Sequence, residues 1–288
     1  MYSTTAKSGK RYFKSFFILC TVSLIWISGA KAELTEDDII VGPQTVLLGD
    51  QAEIFIPEDL SFINENKAGE AVELTENIPS GLEVGLIFSE EGWFVIFEFA
   101  DEGYVKDDEK TDLDADAMLK SISESTNENN KELIKRGWSP LYVEGWYQPP
   151  RYNSQTHNLQ WAVEIKSDTT GGNSGHSINY NTRILGRYGY MIITLVSTMD
   201  SIDYRIDRLN SLLESYQFKQ GNTYAEYKEG DKLAEYGLSA LIVGGGAALA
   251  SKTGVFKWLW KVLIAIFAAI SGFFKKIYNK FKNRDQKP

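Results

Sequence analysis

The chain predicts an α+β fold built on an antiparallel sheet, and three observations carry that prediction. Apolar runs of strand length are joined mostly as hairpins, two longer stretches repeat apolar residues at helical spacing, and one strand is apolar on both sides. Residues 45–48 and 52–56 flank Gly49-Asp50 as a hairpin with a tight turn, and Pro57 stops the second strand. Residues 60–71 read as a short helix, followed by a loop around 78–81. Segments 82–88 and 93–99 form a strand pair. Because Trp93, Val95, Phe97 and Phe99 alternate with Phe94, Ile96 and Glu98, the second belongs at the centre of the sheet. From 114 to 136, Ala115, Met118, Leu119, Ile122, Leu133 and Ile134 make a helical stripe, capped by Asp112 or Asp114 and stopped by Gly137. Strands at 141–148 and 159–165 are expected to be joined by the turn-rich 149–158, and strands at 177–183 and 188–197 meet near Gly186-Arg187. A loop at 167–175 lies between these pairs, and 201–216 is an amphipathic helix with Ile202, Ile206, Leu209, Leu212 and Leu213 on one face.

Both ends read as membrane-directed. Lys7, Lys10, Arg11 and Lys14 precede the apolar run 16–27, and Ala30 and Ala32 fit a cleavage site, so 1–32 reads as a secretory signal peptide. Its removal takes away Cys20, the only cysteine, and leaves a mature chain without disulfide or thiol nucleophile. Residues 33–224 form the extracytoplasmic domain, 225–235 a juxtamembrane segment, 236–274 an almost continuously apolar anchor, and 275–288 a basic tail. Two features interrupt the anchor: Ser251-Lys252-Thr253-Gly254, and the pair Lys257 and Lys261, which share a helix face and can snorkel. One span at 255–274, one span at 236–250 followed by a surface helix, and a hairpin of both halves are the arrangements available. Lys275, Lys276, Lys280, Lys282, Arg284 and Lys287 place the tail on the cytoplasmic side, which disfavours the hairpin. The expected location is the bacterial inner membrane with the main domain in the periplasm.

Charge divides along the chain. Of 30 basic and 39 acidic residues, the first 32 positions hold five basic ones, and the stretch from Tyr236 holds nine basic and one acidic. The body between keeps 16 basic and 38 acidic residues, a net of −22. Such a body repels nucleic acid and anionic headgroups, so nucleic-acid binding is excluded and lipid is met through the C-terminal segment.

Candidate chemistry is sparse. Glu98, Asp101, Glu102, Asp107 and Asp108, with Tyr104 and Lys106 among them, follow the most apolar strand. Clustered carboxylates there suit cation binding or acid–base work, or simply turns and caps before Asp114. Their spacing does not match a twelve-residue calcium loop. His157 and His176 are the only histidines, and no metal-ligand spacing or cofactor motif accompanies them. Trp138, Tyr142, Trp146, Tyr147, Tyr152 and Trp161 gather near Pro149 and Pro150, as cross-strand core pairs or as a platform for glycan or peptide. Asn179, Asn181, Arg183 and Arg187 form the remaining polar group, and on a strand the odd-numbered ones share a face. Arginines in so acidic a body suggest internal salt bridges first and anion recognition second.

Several phrases resemble one bacterial family, the domain of unknown function 2167, described as membrane-anchored proteins. They are WFVIFEFADEGYVKDDE at 93–109, DADAMLKSI at 114–122, EGWYQPPRYNSQTHNLQWA at 144–162, NYNTRILGRYGY at 179–190 and YAEYKEGDKLAEYGLSALIVGGGAA at 224–248. The resemblance implies an envelope protein with a C-terminal anchor and brings no catalytic residues. AEIFIPEDL at 52–60 and RLNSLLESYQF at 208–218 are similar to the opening strand and last helix of PsbP- and Mog1-like α/β/α sandwich domains. The functional expectation is a non-enzymatic binding or interaction module that meets an envelope protein or glycan and uses no cofactor. Its candidate ligand-binding residues are Asp101, Tyr104, Asp107, Trp146, Tyr152, His157, Asn181 and Arg183. The alternative is an extracytoplasmic hydrolase or carbohydrate-active enzyme using the acidic loop Glu98–Asp108.

Overall fold

Among the described residues period-two burial produces eleven strands: β1 (Ile39–Val41), β2 (Gln44–Leu48), β3 (Ala52–Ile56), β4 (Leu60–Asn64), β5 (Glu83–Ser89), β6 (Phe94–Ala100), β7 (Leu141–Asn153), β8 (Asn158–Asp168), β9 (Ser174–Leu185), β10 (Tyr190–Thr198) and β11 (Gln217–Phe218). The helices are α1 (Glu65–Leu74), α2 (Ala115–Lys135), α3 (Ile202–Leu213) and the short α4 (Leu238–Ile242). In this computed structural model residues 34–168 and 174–242 are described. Eight strands form one sheet in the order β1-β4-β5-β6-β10-β9-β8-β7, every neighbouring pair antiparallel, and β11-β3-β2 form a second, smaller sheet. The α+β prediction stands, with β6 central as its apolar sides require.

The two faces of the large sheet differ. On the closed face Val95 and Phe97 of β6, Met191, Ile193 and Leu195 of β10, and Ile178 and Tyr180 of β9 are buried. They pack against Val46, Leu48, Ile54 and Ile56 of the small sheet and against Leu209 and Leu212 of α3. Gly85 is required here, because a Cβ would lie 2.3 Å from the Phe62 ring. On the open face, α1 packs over β4 and β5, where Ile63, Leu86 and Ile96 stand in one cross-strand row. Helix α2 packs over β7 and sets Met118 against Trp161, Val163 and Ile165.

Local signals explain most boundaries. Gly49 turns the β2–β3 hairpin at φ +57°, the Asp114 carboxylate accepts from the Ala117 amide at 3.0 Å to cap α2, and Gly137 follows α2 at φ +76°. Two expectations are corrected. Residues 60–64 are a strand rather than a helix start, because pairing with β5 buries Leu60 and Phe62, and the helix begins at the Asn64 cap. Strand β7 runs through Pro149 and Pro150 to Asn153 instead of stopping at 148. It is an edge strand, so a proline that cannot donate loses nothing there.

The chain beyond α3 folds back over the sheet end. Tyr104 and Leu233 form a parallel bridge, Gly186 and Thr223 an antiparallel one, and the Tyr224 hydroxyl donates to the Val105 carbonyl at 3.0 Å. Leu238, Leu241 and Ile242 are buried in the same cluster, so packed structure continues seven residues into the stretch read as anchoring. The signal region 1–32, the rest of the anchor and the tail 275–288 lie outside the described residues. Among the described residues no helix is long and apolar enough to cross a membrane.

Candidate functional site

The open face is covered only in part. Strands β5 and β7 stand five spacings apart, about 24 Å. Helices about 10 Å across, one over each, leave a strip on the order of 14 Å between them. Phe94 and Glu98 of β6, Ile192, Thr194 and Val196 of β10, and Asn179 and Asn181 of β9 are all half-buried in this strip. On central strands that exposure means no element lies above them. The strip is closed at one end by an ion pair between Arg136 after α2 and Glu73 of α1, at 3.2 Å. At the other end the returning tail covers it, with Tyr236 set against Tyr190, hydroxyl to hydroxyl, at 3.3 Å. The result is a trough whose floor mixes apolar side chains with Glu98, Thr194, Asn179 and Asn181.

Arg183 lies at its base. Register places Glu98, Ile192, Arg183 and Leu159 in one cross-strand row, and Ile96, Thr194, Asn181 and Trp161 in the next. The Arg183 guanidinium sits 4.6 Å over the Trp161 ring and is 9% exposed. Nη1 donates to the Thr182 carbonyl at 3.3 Å, while Nε is buried without a partner. Burial depresses its pKa to about 10, partly offset by the charge of Glu98. Among the described residues no carboxylate forms an ion pair with it. Glu98 is pushed up by burial, against the opposing hydrogen bond from the Ser80 hydroxyl. Asn181 accepts from the Thr194 hydroxyl at 3.3 Å and donates to the Asn179 carbonyl at 3.0 Å. Arg187, in contrast, forms a two-pronged pair with Asp231 at 2.7 and 2.8 Å, the internal salt bridge expected of these arginines.

A second cluster sits at the same end of the sheet. The Tyr152 hydroxyl lies 3.1 Å from both Asp107 Oδ2 and His157 Nδ1. His157 occupies a left-handed turn position at φ +54°, its ring tilted over Tyr224 at 4.2 Å, and Tyr224 stacks 4.4 Å from Tyr104. Tyr227 covers Tyr104 at 4.2 Å. Burial, then the neighbouring Asp107 carboxylate, raises the Tyr152 phenol well above its usual range. Thus Tyr104, Asp107, Tyr152 and His157 come together as the loop and turn readings allowed, but their polar atoms face one another. Asp101 stands apart and exposed, and it is its backbone carbonyl that accepts from Lys232 Nζ at 3.0 Å.

Within the aromatic region Trp146 packs against the core cluster of the open face. Trp146 is half-buried, and its indole N–H donates to the Ala115 carbonyl at 3.2 Å, so it ties β7 to α2. Tyr152 belongs to the cluster above. Of that region Tyr142 and Tyr147 remain exposed, Tyr147 on the closed-face side. It lines a cavity of about 300 Å³ with Met199 and Tyr204 and bonds Asp203 at 2.6 Å. Glu98, read as the start of an acidic loop, is the second-last residue but one of β6 and faces the trough.

Fold and trough together define an α+β domain with a partly open face on its large sheet. The chain belongs to the family described as "Protein of unknown function (DUF2167)", whose model matches residues 40–274. Among solved structures it is similar to cyanobacterial PsbP (CyanoP) from Synechocystis sp. PCC 6803. Identity is 11%, the TM-score 0.37, and the match covers 66% of this chain and 98% of that one. It is also similar to the Saccharomyces cerevisiae Ran-binding protein Mog1p, with 9% identity, a TM-score of 0.28, and 66% and 100% covered. No curated protein matches the chain.

Proposed function

We propose that this chain is a non-enzymatic binding module of the cell envelope. Its main domain is periplasmic, it is held at the inner membrane by the apolar C-terminal segment, and it uses the open-face trough to hold an envelope protein or glycan. The observation that carries the reading is Arg183. A nearly buried guanidinium with one long hydrogen bond and an unpartnered Nε is expensive to desolvate, and an anionic group in the trough relieves that cost. Arg183 offers its planar fork to a carboxylate, while Asn181, Thr194 and Asn179 supply amide and hydroxyl contacts beside it. The export signal, the acidic body and the lysine-rich tail support the location.

Catalysis by the acidic loop finds less support, since Asp107 and His157 both engage the Tyr152 hydroxyl and Asp101 stands away from either. For a hydrolase, alanine at Asp107 or Asp101 abolishes turnover without unfolding the domain.

The test of binding is photocrosslinking in cells, with a photoreactive residue placed in the full-length chain at Asn181, at Thr194, or at Tyr204 on the opposite face. Adducts from Asn181 and Thr194 but not Tyr204 uphold the trough. Adducts from Tyr204 alone, or from none of the three, sink it. Reporters fused after Gln220 and after Pro288 decide the location, and matching signals from the two positions would overturn the single-span arrangement.

A further inference from the structure

We infer that a second site, independent of the trough, binds a divalent cation of the zinc class on the closed-face side of β7, β8 and β9, through Glu144, Glu164 and His176. Three adjacent strands present these residues on one face. Gly145 pairs with Glu164, Glu164 with Ile178, and a register shift between Val143 and Gly145 makes Glu144 the extra residue of a bulge. Bulges re-aim a side chain, and here the re-aimed carboxylate meets an imidazole two strands away. One oxygen from each glutamate and one ring nitrogen all lie within 4.8 Å of one another.

The distances discriminate between an ion pair and a ligand set. His176 Nδ1 is 3.3 Å from Glu144 Oε2 and 3.5 Å from Glu164 Oε1. Both lie just beyond the usual N–H···O range of roughly 2.7–3.2 Å, longer than a well-seated hydrogen bond. Ligands bonded at about 2.0–2.15 Å to a tetrahedral ion stand about 3.3–3.5 Å apart, the spacing of His176 Nδ1 from each carboxylate oxygen. One nitrogen and two carboxylate oxygens form a mixed donor set for zinc, cobalt or manganese, with a fourth position open to water or an added ligand. The side chains are 29–38% exposed, so an ion can enter without unfolding the sheet. Lys166 stands opposite His176 in the same register. These residues are far apart in sequence, which is why spacing alone revealed no ligand set.

The test uses the full-length chain in detergent, freed of metal, titrated calorimetrically with Zn²⁺ and by visible absorption with Co²⁺. The expected result is one equivalent bound, with the intense absorption of a low-coordinate Co²⁺ centre. Affinity should fall at least tenfold in Glu144→Gln, Glu164→Gln and His176→Gln and stay unchanged in His157→Gln. Circular dichroism confirms that the variants fold, as expected for exposed positions. No binding at millimolar Zn²⁺, or binding that survives all three substitutions, overturns the site.

Discussion

The two faces of one sheet are built to different specifications. The same strands that bury Phe97, Ile193 and Tyr180 on the closed face leave Glu98, Ile192 and Asn181 half-exposed on the open one. The closed face meets a second sheet and a helix with a continuous apolar surface, where each added methylene removed from water contributes roughly 0.8 kcal/mol. The open face gives up that stabilisation along its central strands, and it keeps a buried cation there as well. Stability is concentrated on one side so that the other is free to present polar groups.

The sharpest way to break this comparison is a matched pair of truncations. Phe97→Ala on the closed face is expected to cost about 3–5 kcal/mol, since the ring is fully buried and leaves a cavity. Thr194→Ala, on the neighbouring strand but facing the trough, is expected to cost no more than about 1 kcal/mol, the value of its hydrogen bond to Asn181. Urea unfolding of both variants measures the contrast, and equal losses would show that the trough is an ordinary part of the core.

Arg183→Met comes next. The methionine keeps apolar length against Trp161 and removes the desolvated charge, so stability is expected to hold or rise by about 1–4 kcal/mol. Crosslinking from Asn181 is expected to disappear in the same variant. A large destabilisation would make Arg183 a structural cation and remove the basis of the trough proposal.

Asn130→Ala tests the edge of the sheet. The Asn130 side chain donates to the Leu141 carbonyl at 2.7 Å and accepts from the Leu141 amide at 2.8 Å, standing in for the missing neighbour of β7. Asn130 is buried, so the loss is expected to be about 1–3 kcal/mol, with amide exchange at Leu141 faster than in the parent.

How much of this was legible in the sequence depends on the range of the interactions. The Gly49 turn, the Asp114 cap and the Gly137 stop are signals a few residues long, and they appear where expected. LSFIN at 60–64 is a short apolar run whose periodicity suits helix or strand, and only its pairing with β5 decides between them. Residues 225–235 read as a juxtamembrane segment because their partner lies more than a hundred residues back, as the Tyr104–Leu233 bridge shows. Strand parity correctly put Asn181 and Arg183 on one face. Trp146, open in the sequence to a core or a platform role, is turned toward α2 by register shifts in β7 that no local pattern announces. Tyr224 and Tyr227 complete the His157 cluster from the returning tail.

The smallest expected effect concerns how the tail is held against the open face. Asp231 pairs with Arg187 at the β9–β10 turn and also accepts from the Lys228 amide at 2.7 Å. The Arg187 hydrogen bond, then the Lys228 amide, lowers its carboxyl to about 2 from the usual 3.8. A carboxyl depressed in the folded state favours folding above its unfolded pKa, and that contribution disappears as pH falls through the folded value. Asp231→Asn lacks the charge at every pH. The stability gap between parent and variant is therefore expected to be constant near neutrality, to narrow between about pH 4 and pH 2, and to close below that window. Urea midpoints across this range, read beside exchange at the Ala234 amide that bonds the Tyr104 carbonyl at 2.9 Å, separate local from global loosening. Faster exchange at Ala234 with little change in midpoint would make the tail a detachable cover of the trough end. A full loss of both would make it part of the fold, and a gap that does not narrow between pH 4 and pH 2 would show that the Arg187 pair is not what holds it.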